Sequence, residues 1–161
     1  MPLVNMPFTR TVSLRDDTDT ARLGARLAAA AAPGDVIALS GDLGAGKTTL
    51  ARGFVRALTA LDEEVPSPTF TLVQTYDAAR FPIWHFDLYR IGEPAEVVEL
   101  GWDEALAGGV SLVEWPERLG PNLPAGALQV RLVPQDMGAV EGRRAEISGP
   151  DLPWRARLDD L

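Results

Sequence analysis

The stretch Gly41-Asp42-Leu43-Gly44-Ala45-Gly46-Lys47-Thr48-Thr49 fits the pattern G-x-x-x-x-G-K-[ST] of a phosphate-binding loop. The apolar run Val36-Ile37-Ala38-Leu39 before it predicts a short buried strand, and Thr49 to Leu58 after it predicts a helix that continues to about Leu61. Strand, glycine-rich loop and helix follow in the order that a nucleotide-binding loop requires. This context favours such a loop over a chance match in a glycine-rich turn.

Each residue type in this loop has a physical role. Gly41, Gly44 and Gly46 allow the positive φ angles and the close backbone approach that a phosphate chain needs. Lys47 can place a compact charge on the β and γ phosphates of ATP, and the Thr48 hydroxyl can take one position on Mg²⁺. The whole loop is therefore the predicted binding segment for ATP, with Mg²⁺ as its companion ion.

Composition limits the possible functions of the chain. Its 161 residues are 46% hydrophobic and 24% charged, which is typical of one globular domain. The chain has no cysteine, so disulfides and cysteine-based zinc sites are excluded. Its N-terminus resembles no signal peptide and no apolar run is long enough to cross a membrane, so we expect a cytoplasmic protein without a membrane partner. A net charge of -8 indicates that any RNA is held by another protein. Among fifteen Lys and Arg residues, Lys47 is the only lysine.

Two further strands carry acidic residues that point to the same chemistry. Val110 to Trp115 has the pattern of a buried strand that delivers Glu114 to the ligand crevice, where it could hold Mg²⁺ through water or orient an attacking water. The alternative is a strand that merely ends in Glu. In Ile83 to Tyr89, alternation places His85 and Asp87 on one face, so Asp87 is a candidate Mg²⁺ ligand with His85 as its partner. A single histidine is more often a satisfied core residue.

The segment from Val65 to Phe70 contains two prolines and cannot be helical. Its hydroxyls, including that of Thr69, lie where several phosphate-loop nucleotidases have a loop that senses the γ-phosphate. A plain Pro/Ser turn explains the spacing equally well. Phe70 to Tyr76 then predicts a strand, antiparallel to Ile83 to Tyr89.

The remaining patterns complete an α/β chain without repeats or interdomain linkers. They predict a strand over Phe8 to Leu14, a helix from Asp16 to about Ala32, two short helices between Glu93 and Ala107 interrupted at Gly101, and a β pair over Leu128 to Pro134 and Arg143 to Ser148. The acidic run of residues 62–64 is more typical of a solvated turn than of a site.

Four blocks together resemble the TsaE (YjeE) family of small bacterial ATPases. They are the phosphate-binding loop, Ser67-Pro68-Thr69-Phe70-Thr71-Leu72-Val73, His85-Phe86-Asp87-Leu88-Tyr89-Arg90, and Val113-Glu114-Trp115-Pro116-Glu117. The family is required for threonylcarbamoyladenosine (t6A) modification of tRNA. The second and third blocks are far more specific than the loop, which many families share.

The resemblance implies one three-layer P-loop NTPase-like α/β domain over residues 1–161, with a mixed, largely parallel central sheet. It also implies ATP hydrolysis in partnership with TsaD and TsaB, which would bring tRNA only indirectly. Carried over by position, Lys47 and Thr48 are the phosphate and Mg²⁺ residues, Thr69 is the switch hydroxyl, Asp87 the metal-linked acid and Glu114 the Walker-B acid. Trp115 is added because the tryptophan after that acid is associated with the nucleotide site.

Other functions on the same fold remain open at this point. A small-molecule kinase usually needs a basic lid, and Arg143-Arg144 is the only adjacent basic pair in the chain. A GTPase commonly uses an Asn-Lys-x-Asp segment for guanine, whereas the one lysine here lies in the phosphate loop. A non-catalytic scaffold that only binds ATP is the third alternative.

Overall fold

The computed structural model of the chain describes residues 7–138 and 141–161. Its strands form one open seven-stranded sheet. They are β1 (Phe8–Leu14), β2 (Val36–Ser40), β3 (Val73–Tyr76), β4 (Ile83–Asp87), β5 (Val110–Glu114), β6 (Leu128–Asp136) and β7 (Glu141–Gly149). In space they lie in the order β1-β7-β6-β2-β5-β4-β3.

The middle of the sheet is parallel and its edges are antiparallel. Strand β2 pairs in parallel with β5 and β6, and β4 pairs in parallel with β5. The antiparallel pairs are β3 with β4, β6 with β7, and β7 with β1. The predicted mixed sheet is thus confirmed, but it is parallel only in its middle. The predicted antiparallel pairing of β3 with β4 and the predicted pairing of β6 with β7 are also confirmed.

Four of the described helices lie between strands, and the last follows β7. They are α1 (Asp17–Ala30), α2 (Lys47–Leu58), α3 (Glu96–Glu99), α4 (Trp102–Gly108) and α5 (Asp151–Arg157), and a 3₁₀ segment covers Pro116–Asn122. The predicted break at Gly101 is confirmed, because this glycine has a φ of 94° and separates α3 from α4. Asp16 caps α1 by accepting a hydrogen bond from the backbone N–H of Asp19. None of these helices is both long enough and apolar enough to span a bilayer.

Two apolar clusters show that helices cover both faces of the sheet. One cluster joins Leu112 of β5 to residues of α1 and α2, such as Leu27 and Phe54. The other joins the next residue of β5, Val113, to Trp102 of α4. Because neighbouring residues of a strand point to opposite faces, α1 and α2 lie on one side and α3 and α4 on the other.

The predicted strand over Phe70 to Tyr76 is wrong in its first half. Strand β3 begins only at Val73, because Leu72 has a φ of 69° and its N–H donates to the Pro68 carbonyl at 2.7 Å. This turn leaves the Phe70 side chain 81% exposed. The segment that leads into β3 is therefore a loop held beside the end of β4.

Helices α1 and α2 pack at very short distance, with a glycine of each helix at the contact. A Cβ added to Gly24 would lie 2.2 Å from the Leu50 carbonyl oxygen, and one added to Gly53 would lie 2.2 Å from that of Ala21. Contacts this short cannot be relieved without moving backbone. The position of α2, which begins at the phosphate-binding loop, therefore depends on these glycines.

We expect Gly24→Ala to lower the free energy of unfolding by about 1 to 3 kcal/mol, because the added methyl group forces the two helices apart. Gly108→Ala is the matched control, since a Cβ there meets nothing within 4 Å and alanine favours helix by up to about 1 kcal/mol. Urea unfolding of both variants tests this. Equal stabilities would contradict the close crossing.

Candidate functional site

The predicted site residues gather at the edge where the parallel strands end. Strand β2 runs into the phosphate-binding loop, while β4 ends at Asp87 and β5 at Glu114. In the strand register, Glu114 lies between Leu39 of β2 and Asp87 of β4. This crevice at the carboxyl ends of the strands is where open α/β sheets bind ligands.

The loop has the backbone geometry that the sequence predicts. Gly41, Gly44 and Gly46 have φ angles of 147°, 79° and 107°. A Cβ on Gly41 would lie 2.7 Å from the Leu132 carbonyl oxygen, so the loop also depends on close approach there. Helix α2 begins at Lys47 with a glycine in the capping position, and no side chain caps its first N–H groups. Such uncapped N–H groups are the kind that bind anions at helix N-termini.

Lys47 is buried, with only 5% of its surface exposed. Its ammonium group donates hydrogen bonds to the carbonyl oxygens of Gly41 and, at 3.4 Å, Asp42. Burial lowers the pKa of Lys47 from its ordinary value, and the nearby carboxylates of Glu114 and Asp87 oppose that shift. The charge of Lys47 is thus held by backbone oxygens, in a place where phosphate oxygens could replace them.

Glu114 is 3% exposed, and its carboxylate links helix α2 to strand β4. It accepts a hydrogen bond from the Thr48 hydroxyl, at 3.1 and 3.2 Å to its two oxygens, and lies 2.7 Å from His85 Nε2. The sequence predicts His85 as a partner of Asp87 on the same strand. The structure instead places the ring against Glu114 of the neighbouring strand.

Asp87 is 4% exposed and holds the loop that precedes β3. One carboxylate oxygen accepts from the Thr69 hydroxyl at 3.2 Å, and the other accepts from the Tyr89 backbone N–H at 3.1 Å. Thr69 in turn lies 2.7 Å from the Ser67 hydroxyl. The two hydroxyls of the predicted switch segment are therefore connected to the acid that ends β4.

Trp115 covers one side of the buried lysine. The Nζ atom of Lys47 lies 3.8 Å from the centre of the indole ring, which is cation–π distance, and the Tyr89 ring lies 5.0 Å away on centroids. Trp115 has a φ of 58° and a ψ of 53°, a left-handed conformation that costs about 1 to 3 kcal/mol for a residue other than glycine. This backbone turn places the ring beside the site directly after Glu114.

These groups line one cavity of about 280 Å³. All residues predicted for the site line it except Gly41, Asp42 and His85; Leu43, Ala45 and Thr49 are included. Sequence reasoning missed Asp17 and Arg143, which also line the cavity and hydrogen-bond each other at 3.0 Å. They are 126 residues apart, and the only signal was that Arg143 belongs to the one basic pair in the chain.

Comparisons with known proteins agree on one family. The family model "Threonylcarbamoyl adenosine biosynthesis protein TsaE" matches residues 14–144. The chain is 39% identical to a tRNA threonylcarbamoyladenosine biosynthesis protein TsaE of Nostoc over 93% of this chain and 90% of the relative. It is 43% identical to the Bacillus subtilis protein of the same name, over 75% and 73% of the two chains.

A solved structure has the same overall form. The crystal structure of Bacillus subtilis YdiB superposes with a TM-score of 0.78 and 30% sequence identity, covering 96% of this chain and 95% of that one. A family model that covers most of the chain and relatives of about 40% identity leave one conclusion: the chain belongs to the TsaE family.

Proposed function

We propose that this chain is an ATP-hydrolysing component of the machinery that makes threonylcarbamoyladenosine in tRNA, and that its fold is a three-layer phosphate-loop nucleotidase fold. The pathway is the one named for its relatives. The observation that carries the ATPase assignment is the convergence of Lys47, Thr48, Asp87 and Glu114 on one cavity next to a loop with three left-handed glycines. Each of these groups has a role in phosphoryl transfer from ATP to water.

The oxygen atoms at this edge fit Mg²⁺ in the presence of a nucleotide. Within residues 7–138 and 141–161, no three His, Asp or Glu side chains are grouped to hold a metal by themselves. Mg²⁺ commonly relies on one or two carboxylates, a hydroxyl, water and substrate phosphates. Thr48, Asp87 and Glu114 supply such oxygens, and bound Mg²⁺ would neutralise charge on the phosphates.

Three side chains of this protein have the other roles in the proposed reaction. Lys47 can exchange the carbonyl of Gly41 for phosphate oxygens, so that its charge stabilises the charge that develops on the transferred group. Glu114, buried and held on two sides, can accept a hydrogen bond from an attacking water and orient it. Thr69 can leave Asp87 to contact the γ-phosphate, which would couple its loop to the nucleotide.

Lys47→Ala is expected to lower the rate of ATP hydrolysis by about 100-fold or more while the fold survives, because a preorganised charge at the reacting phosphates is lost. Arg22→Ala removes a positive charge from a side chain that is 71% exposed on α1, outside the cavity, and is the control. Phosphate release measures the rate and circular dichroism the fold. Full activity in Lys47→Ala would contradict the assignment of Lys47 to the reacting phosphates.

Asp87→Ala and Glu114→Gln are expected to differ in which constant they change. Asp87→Ala should weaken Mg²⁺-dependent nucleotide binding, whereas Glu114→Gln should leave binding close to normal and slow hydrolysis by about 100-fold. Titration of Mg²⁺ with ATP, followed by single-turnover kinetics, separates the two. Small and equal effects on both constants would show that these strand ends do not face the nucleotide.

The proposed partners are TsaD- and TsaB-like proteins, with tRNA carried by them. Two features support a partner at the cavity: the exposed Phe70 on the Thr69 loop, and Leu43 of the phosphate-binding loop, which is 75% exposed. The net charge of -8 supports the proposal that the partner, rather than this chain, carries the tRNA. A protein that docks over these residues would close a cavity that the chain alone leaves open.

We therefore expect the isolated protein to hydrolyse ATP slowly, and we expect a rise in that rate when both partners are added. Thr69→Ala should reduce that rise more than it reduces nucleotide binding, because its hydroxyl connects the loop to Asp87. ATPase and tRNA modification assays with and without the partners measure this. Full turnover by the protein alone, or tight binding of tRNA by the protein alone at physiological salt, would contradict the proposal.

A further inference from the structure

His85 is completely buried, yet only one of its two ring nitrogens has a partner. Nε2 lies 2.7 Å from a Glu114 oxygen, whereas Nδ1 has no hydrogen-bond partner among the described residues. A buried polar atom without a partner is unfavourable, and a leucine would fill this position without that cost. The presence of histidine therefore indicates that the single bond to Glu114 matters.

The bond does not follow from strand pairing alone. In the register of β4 and β5, His85 lies opposite Leu112, and Asp87 lies opposite Glu114. The imidazole reaches diagonally to the acid two residues further along the neighbouring strand. It approaches Glu114 from the sheet, while Thr48 approaches from the start of α2.

The second contact of Glu114 is the one that changes in the proposed reaction. Thr48 is a proposed Mg²⁺ ligand, so its hydroxyl oxygen would give a lone pair to the ion when the nucleotide is bound; its O–H can still donate to Glu114, but in a direction that the ion then sets. His85 is the partner of Glu114 whose position does not depend on the ion. A carboxylate only accepts hydrogen bonds, so Nε2 of His85 is assigned as the N–H donor of this contact.

We propose that His85 is a positioning residue that fixes the Glu114 carboxylate through a hydrogen bond from Nε2 while Thr48 is engaged with Mg²⁺ and nucleotide. The inference rests on the proposed ATPase function and adds a residue to it. His85 contacts no reacting atom in this assignment. It acts only on the orientation of Glu114, and so on the rate of hydrolysis more than on nucleotide binding.

Kinetics of two substitutions test the claim. His85→Leu should lower kcat by about 10- to 100-fold, as loss of an orienting partner does elsewhere, with the nucleotide Kd changed by less than about threefold. His85→Gln keeps an N–H donor near the Nε2 position and should lie within about fivefold of the wild type. Ser111→Ala, another buried polar residue of the sheet whose hydroxyl has no described partner, is the control and should leave kcat unchanged.

A double substitution separates positioning from general damage. Once Glu114→Gln has removed the carboxylate, adding His85→Leu should change kcat by less than about twofold, because the two residues act as one unit. An additive loss, or equal losses of kcat and nucleotide affinity in His85→Leu, would overturn the proposal. Thermal unfolding checks that each variant folds. If His85→Leu does not fold, the kinetics of His85→Gln and the spectroscopic test below still test the proposal.

The spectroscopic test needs no turnover, because His85 is the only histidine in the chain. Nitrogen-15 NMR should show a ring N–H on Nε2 whose resonance persists with Mg²⁺ and a non-hydrolysable ATP analogue and shifts in Glu114→Ala. An Nε2 that carries no proton in the wild type would overturn the inference. If the wild type hydrolyses ATP and His85→Leu is fully active, this inference alone is overturned. If the wild type never hydrolyses ATP, with or without partners, the proposed function is overturned and this inference with it.

Discussion

The site depends on buried charges of opposite sign that compensate one another. Asp87 and Glu114 are each less than 5% exposed, and Lys47, the only lysine of the chain, is buried beside them. Isolated charges in such surroundings are strongly unfavourable, so each must have partners. The strand ends supply the acids, the phosphate-binding loop supplies the lysine, and backbone carbonyls and hydroxyls satisfy what remains. The order of β2, β5 and β4 in the sheet is what brings these groups together.

Much of this arrangement could be predicted from the sequence, because it depends on local patterns. Glycine spacing and an apolar run place the phosphate-binding loop between β2 and α2, and the loop glycines have the expected backbone angles. Alternation along β4 correctly separates His85 and Asp87 from Phe86. The sequence predicts both Asp87 and Glu114 as acids of one Mg²⁺ site, and the two residues lie opposite each other in the strand register.

What could not be predicted depends on contacts distant in sequence or on unusual backbone conformations. The diagonal bond from His85 to Glu114 requires the relative register of β4 and β5, which no local pattern contains. The pairing of Arg143 with Asp17 likewise joins the two ends of the chain. Leu72 adopts a left-handed conformation that its residue type disfavours, so propensity extends β3 too far. The C-terminal segment carried no signal, yet it buries Trp154 against the sheet.

We propose that this cavity binds nucleotide together with Mg²⁺ and that Lys47 contacts the phosphates. The most direct measurement is the thermal unfolding midpoint with ATP, ADP or GTP, each with and without Mg²⁺, for the wild type and Lys47→Ala. At ligand concentrations near 100 times Kd, binding adds about 2.7 kcal/mol, which raises the midpoint of a domain of this size by roughly 5 to 10 °C. We expect such a rise for adenine nucleotides with Mg²⁺ in the wild type and its loss in Lys47→Ala. A midpoint that does not respond to any nucleotide, or that rises equally in Lys47→Ala, would contradict it.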